Sequence, residues 1–451
     1  MASRAPNIRL RDLVAESGLT YDGIARAVRV VAAEHSEQLS TNKSAVEHWI
    51  SGTVPAGRTG SYLALVLSRS LRRPVMVEDI GLPAAEPGDD ERVGLRLGSD
   101  PIQELTPVWK GDLDRRRFLS TSAYSVAVAA LPLEHVGEIV RRTSRVVSGG
   151  TIGMAEVAAV RDMVQAMTDM DERHGGQHGR SALVQYLMSD VATLCRGRFA
   201  NDEVRKQLLS AASRGVHLAG WKAYDAGEQG LAQRYYLQSY ALAAESEIPG
   251  HDGFVLRTMA MQGLKLHRPE HCLALAETAS AKARGRVDVR TEALFGVVHA
   301  HTLAKAGRRK EALSEVNAAR ARLSAETGDE PPFWALAWGP QQATVHSRAA
   351  KVFETLSDFK AASEQYALAS ATRPAAYARV VSLDLVAQAE TELKQGSIEA
   401  ACAVWHRALD AMDGVRSVRT AKAVKSIRHQ LSPFRVRGLR CARELDERAR
   451  G

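Results

Sequence analysis

At 451 residues the chain is longer than one hydrophobic core usually organises, so two to four domains are expected. Hydrophobic residues make up 45% of it and aromatics 5%, and abundant alanine favours helices packed through small side chains over sheets, so the expected fold class is all-α. The formal net charge of +8 admits a polyanionic partner without requiring one, and four well-separated cysteines with no Cys-x-x-Cys pair argue against a disulfide framework or zinc site and suit a reducing cytoplasm.

The first 82 residues hold ten Lys/Arg and eight Asp/Glu, a balance of +2. Leu10, Leu13 and Val14 give a short apolar stripe that Gly18 ends, and Thr20 caps a second helix carrying Ile24, Val28 and Val31. A third helix is expected from a cap at Ser40 or Thr41, with Val46, Trp49 and Ile50 as its buried edge. Rotation by 100° per residue from that edge turns Ser44, His48 and Ser51 outward, with Lys43 and Glu47 on the flanks. These are the polar side chains that reach base edges.

The stretches SGLTYDGIARAV, TNKSAVEHWISGTVP and SYLALVLSRSL resemble the lambda-repressor-like helix-turn-helix domain, whose third helix enters the major groove. The resemblance implies base contacts from Lys43, Ser44 and His48, with Glu47 beside them. It implies phosphate contacts from Thr41 and Asn42, to which Arg58 and Arg69 add. About ten residues more than the family's tight turn lie between Ala25 and the third helix, through RVVAAEHSEQLS, which lengthens the second helix or adds a loop. The alternative is a bundle that has lost DNA binding, as the small charge balance suggests. DNA binding is the preferred reading.

Residues 83–112, rich in Pro, Gly and acid, read as a linker. The following DRRRFLSTSAYSVAVAALPL looks like a twin-arginine export signal, yet it stands in mid-chain and reads better as an amphipathic helix that opens a connecting and dimerisation region, 113–204. Its 16-residue apolar stretch from Phe118 to Leu133 is broken by polar residues and falls short of the roughly 20 needed to span a bilayer, so no membrane partner is expected. His174 and His178 have a metal pair's spacing, but the two glycines between them favour a turn, and no metal or cofactor is expected.

From about residue 205 small residues recur with offsets of 12 and 7: Gly220, Ala232, Ser239; Ala260, Cys272, Ala279; Ala300, Ala312, Ala319; Ala350, Ala362, Ala369; Ala389, Ala401, Ala408. Tyr236, Tyr366 and Trp405 follow the second small residue by four. The pattern resembles the tetratricopeptide repeat and implies a solenoid over 205–451 whose concave face holds a peptide or protein. A ten-residue excess, SAETGDEPPFWALAWGPQQ, gathers Phe333, Trp334 and Trp338. Read functionally, Trp334, Trp338, Gln342 and Arg348 form an effector-binding lip. Read structurally, the aromatics pack inward, and this second reading is preferred. In VRSVRTAKAVKSIRHQL, Val415, Val418, Ala421, Val424 and Ile427 form one stripe and Arg416, Arg419, Lys422, Lys425 and Arg428 the next, either a capping helix with a solvated face or a second contact with DNA phosphates.

The order of these features resembles a group of actinobacterial transcriptional regulators with C-terminal tetratricopeptide repeats. That resemblance implies a cytoplasmic, sequence-specific regulator of development or secondary metabolism, with double-stranded DNA and a peptide or protein effector as partners. One module reading three or four bases binds weakly, so a homodimer is expected. The rival is a protein-interaction scaffold. An enzyme is not expected, since no phosphate loop, metal motif, nucleophile elbow or paired carboxylates stand out.

Overall fold

Asn7 opens the first helix: its Oδ1 accepts the Leu10 N–H at 3.0 Å, and α1 (Ile8–Ser17) runs until Gly18 turns left-handed at φ 67°. Thr20 Oγ1 accepts the Gly23 N–H at 3.1 Å at the head of α2 (Tyr21–Glu34). α3 spans Lys43–Ile50 and α4 Thr59–Leu71. Leu10, Val14, Ile24, Val28, Val46, Trp49, Leu63 and Leu67 meet in one core, each on the apolar edge of its helix. The cap of α3 is neither Ser40 nor Thr41. Asn42 takes it, extended at φ −131° and ψ 177°, with Oδ1 accepting the Ala45 N–H at 3.0 Å. The additional residues before α3 are shared between a long α2 and an irregular segment from 38 to 42.

This computed structural model describes all residues except 1–5, 35–37, 58, 72–74, 76, 78, 83–93, 96–99, 118–148, 175–178, 266–268, 326–329, 338, 416 and 451. The chain divides into two units, Met1–Arg92 and Val93–Gly451, and both are helical, so the protein is all-α.

The second unit begins inside the stretch expected to be a linker. Asp100 Oδ1 accepts the N–H groups of Ile102 and Gln103 at 2.9 and 3.1 Å, Pro101 takes the first helical position, and α5 (Pro101–Arg117) buries Ile102, Leu105, Val108 and Trp109. Residues 101–112 are therefore structural, because four large apolar groups on one helical face outweigh the Pro and Gly content around them. α6 (Met154–His174), α7 (Arg180–Tyr186), a π turn at Leu187–Val191 and α8 (Ala192–Cys195) share that core with the first hairpin of the array. The described part of 113–204 is thus the base of the array and not a body of its own. Two short strands, β1 (Thr151–Ile152) and β2 (Arg198–Phe199), pair in parallel beside it. The segment from Phe118 to Leu133, the side chains of Arg115, Arg116 and Arg117, and His178 lie outside the described residues.

Five helical hairpins follow: α9 (Asp202–Asp225) with α10 (Gln229–Ser246), α11 (His251–Lys265) with α12 (Pro269–Ala283), α13 (Val289–Lys305) with α14 (Arg309–Arg322), α15 (Gln341–Thr355) with α16 (Phe359–Thr372), and α17 (Ala378–Lys394) with α18 (Ile398–Ala411). They stack as a solenoid. Every member of the five small-residue sets is buried, and the two helices of each hairpin pack against each other. A Cβ at Gly220 would come within 2.7 Å of the Tyr236 ring, which shows how closely α9 and α10 approach. Tyr236, Tyr366 and Trp405 fill the seams with at most 1% exposure.

Between α14 and α15, Phe333–Leu336 forms a 3-10 turn. Trp334 is 1% exposed and stacks on His251 with ring centroids 5.5 Å apart, beside Phe254 at 5.2 Å. It is a core residue and offers no surface to an effector. The chain then returns on itself: Arg379 of α17 donates to Asp171 and Glu172 of α6 at 2.8 and 3.0 Å, tying the fifth hairpin to the base of the array.

α19 (Val418–Val436) and α20 (Arg440–Arg448) complete the chain. Of the apolar stripe expected in this region only Ile427 is buried, and it joins Thr420 and Leu431. Steps of three residues turn 300° on a helix, so the stripe spirals round it and cannot form one face. The cations that accompany it spiral too.

Candidate nucleic-acid interface and a cationic groove

In the first unit α3 is anchored by Val46, with no exposed surface, and Trp49, 6% exposed. Asn7 N–H donates to the Ile50 carbonyl at 2.8 Å, and Thr53 N–H donates to that of His48 at 2.9 Å, fixing the helix end. The opposite face is open: Asn42, Lys43, Ser44, Glu47, His48 and Ser51 are all exposed. Lys43 Nζ lies 3.6 Å from Glu47 Oε1, a pairing one turn apart that water screens. Asn42 spends its side-chain oxygen on the cap and keeps its amide N–H groups for another acceptor. Thr41 is buried, with its carbonyl accepting from Arg29, so its expected place at a phosphate is not on this face. Arg69 is exposed at the end of α4, and Arg58 falls outside the described residues.

The second unit holds a groove of about 970 Å³ walled by the first helices of the hairpins and by α19. Eight Lys/Arg line it against three Asp/Glu. Of those acids, Glu354 is engaged by Lys351 at 3.2 Å and Lys394 at 3.0 Å, which outweigh burial and hold its carboxyl at about 2. Asp384 accepts from Ser347 at 2.7 Å, and burial pushes its carboxyl up. Glu390 accepts from Gln430 at 2.8 Å. The cations are less well served. Among the described residues no carboxylate lies within ion-pair distance of Lys305, Arg348 or Lys422, while Arg419 reaches Asp225 only at 3.7 Å and lies over the Trp221 and Tyr224 rings. Burial, and then the nearby Arg419, lower the Arg348 guanidinium from its ordinary value. Lys265, over the Tyr224 ring at 5.0 Å, is lowered chiefly by burial, with Arg419 and Lys422 adding to it.

Of the four effector residues expected from sequence, Arg348 alone lines this groove. Trp334 is in the core, Gln342 is exposed outside the lining, and Trp338 lies outside the described residues. The groove lysines of the hairpins were missed, although a signal for three of them exists. Lys265, Lys305 and Lys394 each stand five residues after the first small residue of their set, Ala260, Ala300 and Ala389, so one repeat position carries the charge in three hairpins. Among the described residues no group of three His, Cys, Asp or Glu side chains is placed to hold a metal ion, and no helix is long and apolar enough to cross a membrane.

No curated protein matches the chain. Residues 10–83 match the family described as the SP15 N-terminal domain, a span that takes in most of the first unit.

Proposed function

We propose that the chain is a DNA-binding regulator in which α3 reads a duplex groove and the hairpin array receives an effector. One observation carries this reading: a short, firmly anchored helix presents an unbroken polar face of Asn42, Lys43, Ser44, Glu47 and His48 to solvent. A helix fits the major groove, and side chains of these types meet base edges there. The resemblance of the first 82 residues to the lambda-repressor-like domain supports the same reading, as does the wider resemblance to actinobacterial regulators, from which a cytoplasmic role in development or secondary metabolism follows. So small a reading surface calls for two copies on a two-fold site, and the regulator acts as a homodimer. Regulation is by binding, without catalysis: an effector in the array changes the population of the DNA-competent state.

A scaffold reading draws on the Lys43–Glu47 pair and the balance of +2 in residues 1–82. Duplex binding followed by fluorescence anisotropy across a salt series separates the two. The regulator requires affinity that falls steeply with salt, and replacing Lys43 and His48 together by alanine weakens it by at least about tenfold. A chain that ignores duplexes in dilute buffer is a scaffold.

A further inference from the structure

We propose that the groove of the second unit binds a compact organic or inorganic polyanion, carrying at least two phosphate or carboxylate charges. As the effector of the regulator proposed above, this ligand rests on that reading; as a bound molecule, it does not.

Three observations converge. Lys265, Lys305 and Lys394 end the first helices of three hairpins at one repeat position and all line the same groove. Lysine at a helix C-terminus is ordinary, since the dipole favours it there. That account fails for the others. Arg348 sits in the middle of α15, and Arg419 and Lys422 stand near the N-terminal end of α19, where the dipole disfavours a cation. These groups line one groove together: Arg419 is close enough to Arg348 to disfavour its charge, and Arg348, Lys305 and Lys351 act in the same sense on the buried His301. Like charges gathered in a walled groove raise the local concentration of anions, and a polyanion relieves their repulsion. Lysines, as compact point charges, suit phosphate, and the two arginines offer forked donors to either phosphate or carboxylate.

Size selects a small molecule over a protein segment. The groove lies at the upper end of the roughly 300–1,000 Å³ usual for small-molecule sites. Arg379 bound to Asp171 and Glu172 ties the fifth hairpin to the base of the array, and α19 forms a further wall of the groove. A long acidic peptide needs an open channel.

The test is isothermal titration of the full chain, without DNA, using tripolyphosphate, ATP, citrate and a hexaglutamate peptide at physiological salt. Saturable binding of tripolyphosphate, ATP or citrate near one equivalent is expected; the first two against the third tell a phosphate ligand from a carboxylate one. Arg348→Gln and the exposed Lys305→Gln and Lys422→Gln each weaken it by about tenfold, while Lys310→Gln on the outer helix α14 leaves it unchanged. Because the lysine variants lie at the surface, a folding failure of Arg348→Gln leaves the question decidable. No binding of the three small anions, binding of the peptide alone, or equal loss in Lys310→Gln overturns the inference. A chain that binds tripolyphosphate but no duplex defeats the regulator and leaves the groove standing; the reverse defeats the groove alone.

Discussion

Arg379 has no exposed surface, yet three carboxylates surround it: Asp171 at 2.8 Å, Glu172 at 3.0 Å and Asp225 at 3.6 Å, with Lys222 donating to Asp171 at 2.9 Å. Burial alone would raise the Asp171 carboxyl; Arg379 and Lys222 outweigh it and hold it below the usual carboxylate range. Removing the guanidinium leaves buried acids with too few partners, so Arg379→Met should destabilise the second unit by about 3–5 kcal/mol in a urea titration. A change within experimental error would mean that the closure of the array does not depend on this residue. The buried histidines make a second residue-scale case. Burial, followed by nearby arginine charge, pushes His251 and His301 down to about 3 and His217 well below its ordinary value. Between those values and the unfolded value near 6.5 the unfolded chain binds more protons, so stability falls as pH falls through this window, by up to about 1.4 kcal/mol per pH unit for each histidine. Melting temperature should therefore drop measurably from pH 7 to pH 5, before most carboxylates titrate, and a flat profile would contradict the neutral, buried state of these rings.

At the scale of elements, α3 depends on its cap and its buried edge. Asn42→Ala should cost about 1 kcal/mol of the first unit's stability, and Trp49→Ala about 3–5 kcal/mol, both readable by chemical denaturation. If Trp49→Ala proved neutral, the helix would not be seated as described. The outward face of α3 was legible because one turn of helix fixes which side chains share a side once Val46 and Trp49 are placed inward. The five hairpins were legible for a related reason: helices that touch need small residues at the contact, and that need leaves a spacing in the sequence. Other elements were hidden. Composition drew attention away from α5, although Asp100, Pro101 and the apolar positions at 102, 105 and 109 form a start signal and a stripe. In α19 a period of three has the regularity of a face without forming one, because burial follows 3.6 residues per turn. Periodicity marks three of the groove's lysines but not the groove, which is made by residues from α9 to α19 that meet only when the array curls.

For the whole molecule, charge and architecture divide the work. The +8 of the chain is not concentrated in residues 1–82, which present α3 and balance at only +2; residues 414–443 hold nine Lys/Arg and no acid. On the proposed function, weak charge beside so small a reading surface requires two copies for affinity, so sedimentation should show a dimer at micromolar concentration, and on DNA the two half-sites should lie about one helical turn, roughly 34 Å, apart. A strict monomer with full duplex affinity would contradict this. The central claim is that the exposed side of α3 meets duplex DNA, and genomic footprinting of the native chain, repeated with Lys43, Ser44 and His48 replaced by alanine, tests it most directly. The account predicts discrete protected sites that vanish in the variant while the protein remains folded. Unchanged footprints in the variant, or none with the native chain, would contradict it.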